Sequence, residues 1–406
     1  MKAELSADII VVHPYKHHAL HLAAGLIRSG LKVAAVFPFY RHGLGSVVAM
    51  MPGAIGRKAA GYYHPALVDA LMFRSTYWQF RKLLTFLRDP KQIEAPFDAY
   101  CARKILDRKW QAGTIVTLQD HLPDSSFAAK SVGARLWSDQ IINLSDQATH
   151  RIRSHCEALG LADLNHDERT NTRILGVADI VTVPSKYTFD GVSGRVNVGA
   201  KCVTVPYGVD AKQFGLTPER DPRCLTIVAR ANSVRKGGHL LMEALLRTHR
   251  ELTRAVAPAK LKVVVLGVCE PALAGLVRQV QDSAPGLLEH GNIPHASVPS
   301  LLASSSLFVM PTLSESMSLA CVEAMQASLG MVITPYAGMD NFVDGEMGLL
   351  IQDNVESLAQ ALLLAVARRG QWQGWGRRAR EAARTMSWDT YEQQTAEIPA
   401  EDWRIA

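Results

Sequence analysis

Short runs of β-branched and apolar residues alternate with amphipathic stretches along the chain, a pattern typical of parallel sheets with crossover helices. The runs that predict strands in the first half are 8–12, 32–37, 114–118, 140–145, 179–185 and 202–205. Those in the second half are 224–230, 262–267, 306–310 and 331–335. The charged, proline-bearing segment Thr217–Pro222 separates the two sets. The pattern therefore predicts an α/β protein with two doubly wound, Rossmann-like domains facing each other across a cleft, where ligands bind at the carboxyl ends of the strands.

One segment, residues 41–110, interrupts this alternation. It is rich in Gly, Met, aromatic and basic residues, and pieces such as Tyr77–Leu84 indicate inserted helices before the third strand. Because an apolar helix face is usually core, we favour extra packing on the first domain. The alternative is a basic, aromatic surface that rests on a membrane or holds an apolar acceptor.

Composition excludes several classes of protein. With 406 residues, 48% apolar and 20% charged, the chain is globular and large enough for two domains. No apolar run reaches the roughly 18 residues of a membrane span. The N-terminus runs straight into the strand-like segment Asp8–Val12, so a signal peptide is not expected.

Cysteine usage and net charge indicate the cellular compartment and the kinds of partner to expect. The cysteines lack any Cys-x-x-Cys pair, which indicates a reduced, cytoplasmic protein; they are Cys101, Cys156, Cys202, Cys224, Cys269 and Cys321. The net charge of +6 favours phosphorylated substrates or an anionic membrane surface. No motif for nucleic-acid binding is present, so we expect no nucleic-acid partner.

The most informative motif is the pair Glu315 and Glu323, which brackets seven residues after the apolar run 306–310. Ser314 or Ser316 can cap the helix that follows, and the free N–H groups at its start, near residues 316–319, suit a diphosphate. Two acceptor-only carboxylates beside an anion site suit a ligand that is both phosphorylated and rich in hydroxyls. A nucleotide sugar is such a ligand.

A second motif is basic. Arg230 follows the strand-like run 224–230, and Arg235, Lys236 and two glycines then open a helix. Cations at the carboxyl end of a strand, with glycines before a helix, suit neutralising a leaving diphosphate. Taken alone, the same residues equally fit a solvated basic loop.

Together these motifs resemble the nucleotide-sugar domain of GT-B glycosyltransferases, in the large retaining family GT4 (glycosyl transferases group 1). The segments that carry the resemblance occur in the family's order: Arg230, Lys236-Gly237, Lys262–Gly267, Gly291–Ile293, Ser306–Pro311, Glu315–Met325 and Asp344–Leu350. The first half matches more loosely, at Leu20–Val33, Ala178–Ser185 and Val205–Asp210. Ser387-Trp388 resembles the start of the family's last helix. The implied domains are residues 1–215 on the acceptor side and 216–384 on the donor side, with residues 385–406 returning to the first domain.

The resemblance implies specific roles on the donor side. Arg230 and Lys236 would hold the diphosphate and stabilise its charge, while Glu315 would contact the donor sugar or its phosphate. Glu323 would accept hydrogen bonds from the ribose. The remaining donor contacts would come from the backbone of Ser316, Met317, Ser318, Leu319 and Ile293. The spacing from Arg230 to Lys236 is one residue longer than usual, which makes Arg235 an alternative to Lys236.

The acceptor side is less defined. Lys16 or His17, after the first strand, could lie near the phosphates, and His121 ends a strand that faces the cleft. Asp146 lies where many relatives place a histidine that is absent here. Each competes with a structural role for the same polar group. His17 and His21 have the spacing of a helical metal pair but lack a third ligand, so no metal is expected.

From this resemblance we expect a retaining glycosyltransferase that moves a sugar from a nucleotide-diphosphate sugar to a hydroxyl acceptor, either a carbohydrate, a lipid-linked or another acceptor. It would need no cofactor or metal, act in polysaccharide or glycoconjugate synthesis, and lie in the cytoplasm or peripherally on the inner face of the membrane. Two alternatives stay open. One is an epimerase-like enzyme that modifies sugar nucleotides, and the other is a catalytically silent GT-B binding module.

Overall fold

A computed structural model of the protein describes residues 4–15, 18–41, 44–67, 71–73, 75–86, 90–161, 173–197 and 199–402. Two parallel sheets organise it. The strands of the first half are β1 Leu5–Ser6, β2 Ile9–Val12, β3 Val33–Val36, β4 Leu71–Met72, β5 Trp110–Gln111, β6 Thr114–Leu118, β7 Arg135–Asp139, β8 Ile180–Val183 and β9 Lys201–Thr204. Those of the second half are β10 Cys224–Ala229, β11 Lys260–Leu266, β12 Leu288–Gly291, β13 Leu307–Met310, β14 Gly330–Ile333 and β15 Gly348–Leu350.

The two sheets share one topology. The first has seven parallel strands in the order β4-β3-β2-β6-β7-β8-β9, and the second has six in the order β12-β11-β10-β13-β14-β15. In each, the chain first winds outward in one direction and then returns to continue on the other side of the starting strand. This is the common Rossmann order, in which a crevice opens where the winding reverses. The predicted pair of doubly wound domains is confirmed.

Helices cover both sheets. Those of the first half are α1 Ala19–Arg28, α2 Leu44–Ala49, α3 Ala54–Ala60, α4 Thr76–Phe86, α5 Glu94–Leu106, α6 Pro123–Ser131, α7 Asp146–Ala158, α8 Lys186–Val192 and α9 Ala211–Phe214. Those of the second half are α10 Gly238–Val256, α11 Ala274–Ser283, α12 Val298–Ser304, α13 Leu319–Gln326, α14 Val355–Ala367, α15 Trp372–Ala382 and α16 Trp388–Asp402. Among the described residues, no helix is long and apolar enough to span a bilayer. All six cysteines are described and free.

The strand predicted at 140–145 is wrong. The strand at this place is β7, residues 135–139, which pairs with β6 and β8. Residues 140–145 are instead a loop at its carboxyl end, and Ser145 caps α7 by accepting a hydrogen bond from the N–H of Ala148 at 3.1 Å. Strand β7 was missed because its two ends, Arg135 and Asp139, are polar. The loop after it was predicted as a strand because it contains apolar residues.

The last helix, α16, packs on α1 of the first half and so joins the two ends of the chain. Gly25 of α1 permits this contact, because a Cβ there would lie 2.5 Å from the backbone oxygen of Glu392. A parallel bridge between Val209 and Ser387 holds the chain just before the helix. The crossing helix therefore lies beside the cleft that the two sheets enclose.

Candidate functional site

A cleft of about 860 Å³ lies between the two sheets, at the carboxyl ends of their strands. Both halves contribute to it: Tyr207 and Ile141 follow strands of the first sheet, whereas Arg230 and Glu315 follow β10 and β13 of the second. Strands β10 and β13 are neighbours at the point where the winding of the second sheet reverses. The cleft thus occupies the place where Rossmann-like sheets bind ligands.

The anion pocket that the sequence predicts is the start of α13. Ser318 is the N-cap, since its hydroxyl accepts from the N–H of Cys321 at 3.3 Å; the predicted caps Ser314 and Ser316 are wrong. The helix begins at Leu319, and an α-helix leaves the N–H groups of its first turn without intrahelical partners. Four successive residues there line the cleft: Met317, Ser318, Leu319 and Ala320. The N–H of Ser318 already donates to the carbonyl oxygen of Ala337 at 2.9 Å, so it does not supply the predicted anion contact. The N–H groups of Met317, Leu319 and Ala320 and the helix dipole favour an anion.

Both halves hold the loop that leads into this helix. The hydroxyls of Ser185 and Thr188 donate to the carbonyl oxygen of Ser316, the latter at 3.0 Å. Gly338 packs against the same carbonyl with a φ of 66°, and a Cβ there would lie 2.1 Å from that oxygen. The Sδ of Met317 accepts from the N–H of Tyr207 at 3.1 Å, so the Met317 side chain is buried and only its backbone faces a ligand.

The basic loop is built onto the same turn. The backbone carbonyl of Arg235 accepts a hydrogen bond from the N–H of Leu313 at 2.8 Å and another from the hydroxyl of Thr312 at 3.1 Å. Gly237 has a φ of 71°, and a Cβ there would lie 1.9 Å from the carbonyl oxygen of Pro311. Only glycine fits this left-handed, close position, which explains the Lys236-Gly237 pair in the sequence.

Three cations and one carboxylate meet at the phosphate end. Glu315 accepts from Arg235 at 2.9 Å, and the Nζ of Lys236 lies 3.6 Å from the same oxygen. Nη1 of Arg230 donates to the carbonyl of Leu266 at 2.5 Å. Burial lowers the pKa of Lys236, and Arg230 and Arg235 lower it further, although Glu315 raises it. The excess of positive charge favours binding of a further anion such as a diphosphate.

Glu323 lies in the second turn of α13 and also lines the cleft. Its side chain is 17% exposed, and its Oε1 lies 3.8 Å from the Nε2 of the exposed His295. Ile293 and Asn292, after β12, line the cleft as well. Glu323 and Ile293 are thus both in the cleft, and their roles toward a ribose and its base stay predictions.

None of the predicted acceptor-side residues that the structure describes lines the cleft. Lys16 and His17 lie outside the described residues. His121 does not line the cleft and instead bonds Glu94, with 2.9 Å between its Nδ1 and a carboxylate oxygen. Asp146 is exposed at the start of α7, pairs with Arg195 at 2.7 Å and does not line the cleft either.

The residue that the sequence did not single out is His18. It lines the cleft, and its Nε2 forms a short hydrogen bond with Oδ2 of Asp139, at the end of the mispredicted strand. The other oxygen of Asp139 accepts from the hydroxyl of Thr182 at 2.7 Å, so the carboxylate is fixed. Among the described residues, none bonds the Nδ1 of His18, which leaves that nitrogen for a ligand. Tyr207 packs on the His18 ring, with 4.6 Å between centroids.

Three further groups beside the cleft have metal-ligand chemistry: His21, His64 and Glu392, whose ligand atoms lie within 4.8 Å of one another. The N–H of Ala66 donates to the Nδ1 of His64 at 3.2 Å, so the proton of a neutral His64 is on Nε2. That nitrogen lies 3.0 Å from Glu392 and donates to it. A metal would need a lone pair on the same nitrogen, so the cluster fits hydrogen bonding better than metal ligation.

Two Rossmann-like domains enclosing a cleft with an anion pocket define the GT-B fold. Residues 222–368, which lie in the second domain, match the family Glycosyl transferases group 1. No curated protein sequence matches the chain.

Solved structures of similar fold cover almost the whole chain. Sucrose-phosphate synthase (tll1590) from Thermosynechococcus elongatus is 17% identical, with a TM-score of 0.63 over 98% of this chain and 100% of that one. Anabaena Alr3699/HepE in complex with UDP-glucose is 15% identical, with a TM-score of 0.65 over 98% and 100%. The lipopolysaccharide outer core galactosyltransferase WaaB is 12% identical, with a TM-score of 0.59 over 98% and 99%. At these identities the likeness concerns the fold.

Proposed function

We propose that this protein is a glycosyltransferase that moves a sugar from a nucleotide-diphosphate sugar to a hydroxyl acceptor, without a metal. One observation carries the proposal: the start of α13, the cations Arg230, Arg235 and Lys236, and the carboxylate of Glu323 all line one cleft. A diphosphate neutralises the cations, and Glu323 accepts from the ribose hydroxyls. The group 1 domain and the UDP-glucose named for the Anabaena structure support this donor class.

In this site the protein supplies position and charge. Arg230 and Lys236 stabilise the charge that develops on the diphosphate as the glycosidic bond breaks. Glu315 holds Arg235 and Lys236 in place and reaches the donor sugar or its phosphate. We further propose retention of the anomeric configuration, which the group 1 resemblance supports, and a place in polysaccharide or glycoconjugate synthesis in the cytoplasm.

One observation favours a second stereochemical course. The His18–Asp139 pair has the arrangement of a general base and its orienting carboxylate. If His18 removed the proton of an acceptor hydroxyl, direct displacement would invert the anomeric centre. In the retaining proposal, His18 is instead a positioning residue. Its Nδ1 accepts a hydrogen bond from a hydroxyl of the transferred sugar, which lies next to the phosphate pocket that Met317 and Tyr207 border.

His18→Ala separates these roles. In the retaining course we expect kcat/KM to fall roughly ten- to a hundredfold, as for one lost hydrogen bond, with His18→Asn restoring part of it and nucleotide affinity unchanged. The anomeric configuration of the product is read by NMR. A loss of about 10⁴-fold together with an inverted product would contradict retention and establish the base.

The donor site is tested by Glu323→Ala. Loss of a charged acceptor for the ribose should weaken nucleoside diphosphate binding by about 2 kcal/mol, which is roughly thirtyfold. Isothermal titration with UDP and GDP measures this directly. Glu289→Ala is the matched control, because Glu289 is an exposed carboxylate of the same domain that pairs with Lys262. Equal affinities in the two variants would refute the role of Glu323.

A further inference from the structure

The helices α2, α3 and α4 form a small unit on the first domain, with their own core. Val48, Ala59 and Tyr62 pack there with Phe39 of the chain after β3. This part of the inserted segment is packed as the sequence favoured. Its outer surface is different, because large apolar side chains face solvent.

The exposed apolar residues lie on two helices that contact each other, α2 and α4. Tyr77, Phe80 and Leu84 share one face of α4 and are 60%, 57% and 47% exposed. At the end of α2, Val47, Met50 and Met51 are 61%, 82% and 50% exposed. We call these six residues the apolar face. Exposed apolar side chains grouped in this way mark interaction sites.

Charge is concentrated in the same segment. Residues 41–91 contain eight basic residues (Lys or Arg) and only two acidic ones (Asp or Glu). The rest of the chain contains 36 basic and 36 acidic residues. The formal net charge of +6 therefore resides entirely in this segment. Of its described cations, Arg41 is exposed and Arg81 lies over the rings of Tyr77 and Trp78, while Lys82 is buried.

We propose that the apolar face docks on a membrane surface rich in anionic lipids. Apolar and aromatic side chains flanked by Lys and Arg match the boundary between headgroups and acyl chains. Each Lys or Arg near such a surface contributes about 1 kcal/mol. A bilayer with anionic headgroups complements both features of this segment, the exposed apolar side chains and the excess of positive charge.

Docking places the cleft at the membrane. Gly61 and Tyr63 directly follow α3 and line the cleft, so the docked unit adjoins its mouth. An acceptor hydroxyl carried by a lipid would then reach the donor without leaving the surface. This consequence for the acceptor rests on the proposed function, but the docking itself does not.

The test is flotation of the full chain with vesicles. We expect binding to phosphatidylcholine vesicles containing about one third phosphatidylglycerol, little binding to pure phosphatidylcholine, and release as NaCl is raised. Met50→Ser combined with Phe80→Ser should lower the partition coefficient at least tenfold, which corresponds to about 1.4 kcal/mol or more for the two changes together. The matched control is Val343→Ser combined with Leu364→Ser, two exposed apolar residues of the second domain that are 44% and 40% exposed.

The outcomes are distinct. No binding to anionic vesicles, or equal loss in the two double variants, would overturn the docking. The docking would also be overturned if the parent protein sedimented as a dimer and the Met50→Ser, Phe80→Ser variant sedimented as a monomer. A second copy of the chain would then cover the apolar face. Nucleotide affinity of the parent protein is measured in parallel. If vesicles bind and nucleotides do not, the docking stands and the proposed function fails.

Discussion

Lys236→Ala is expected to lower the rate of sugar transfer by roughly 10²- to 10³-fold, the largest effect of any single change in the cleft. The lysine is held at the phosphate end by Glu315, at 3.6 Å, and is largely shielded from solvent. Its charge is therefore worth more there than in water, and it acts where the diphosphate gains charge as the bond to the sugar breaks. The loss should appear in kcat as well as in kcat/KM, because this interaction strengthens in the transition state.

The matched control for this variant is Lys262→Ala. Lys262 is a lysine of the same domain that pairs with Glu289 at 2.8 Å, outside the cleft. Steady-state rates with one nucleotide sugar compare the two. If both variants kept the parental rate, the cationic loop would have no catalytic part, and the loop would revert to a solvated basic turn.

Glu392→Ala is expected to lower the free energy of unfolding by about 3 kcal/mol, because it removes a buried carboxylate and leaves two partly buried histidines without their acceptor. Glu392 is 2% exposed and accepts from His21 at 2.8 Å and from His64 at 3.0 Å. It thus connects the crossing helix α16 to α1 and to the chain after α3. Denaturant unfolding measures the loss, and Asp389→Asn, an exposed carboxylate on the same helix, should change it by less than about 0.5 kcal/mol.

The effect of Glu392 depends on pH. Burial alone would raise the pKa of Glu392, but the hydrogen bonds from His21 and His64 and the charge of Arg28 outweigh it and lower the pKa to about 2. A carboxylate whose folded pKa is depressed stabilises the fold above its unfolded pKa and loses that contribution as pH falls through the folded value. The difference between wild type and Glu392→Ala should therefore shrink from about pH 7 to about pH 3. A constant difference would refute the ionised pairing.

The sequence predicts most of the fold because most of the strands at the centre of a sheet are short apolar runs. Strands β10, β11, β13 and β14 agree with the predicted runs to within two residues at each end. The edge strands β4, β12 and β15 and the central but polar-ended β7 were not predicted as strands, since their burial depends on neighbours far away in sequence. Pairing with partners such as β11 and β14 makes them strands.

The residues predicted for the donor side line the cleft together, whereas His18, which also lines it, was not predicted, and the reason is physical. Arg230, Lys236 and Glu315 each follow or precede a recognisable element. Glu323 lies in the second turn of a helix that the apolar pattern predicts, and one sheet brings these elements together. His18 needs Asp139, which is 121 residues away and at the end of a strand that the pattern misplaced. His21 likewise meets Glu392 only through the return of the last helix. Such long-range pairs leave no local pattern.

The most direct test of the central claim is turnover of nucleotide sugars by the purified protein, with Lys236→Ala as the inactive control. UDP- and GDP-sugars are incubated with candidate hydroxyl acceptors, and released nucleoside diphosphate and transferred sugar are measured together. We expect at least one donor to release its diphosphate in step with transfer to an acceptor, and Lys236→Ala to lose nearly all of this rate. If no donor is bound or consumed by the parent protein, or if donor is altered without any acceptor, the assignment as a glycosyltransferase is contradicted.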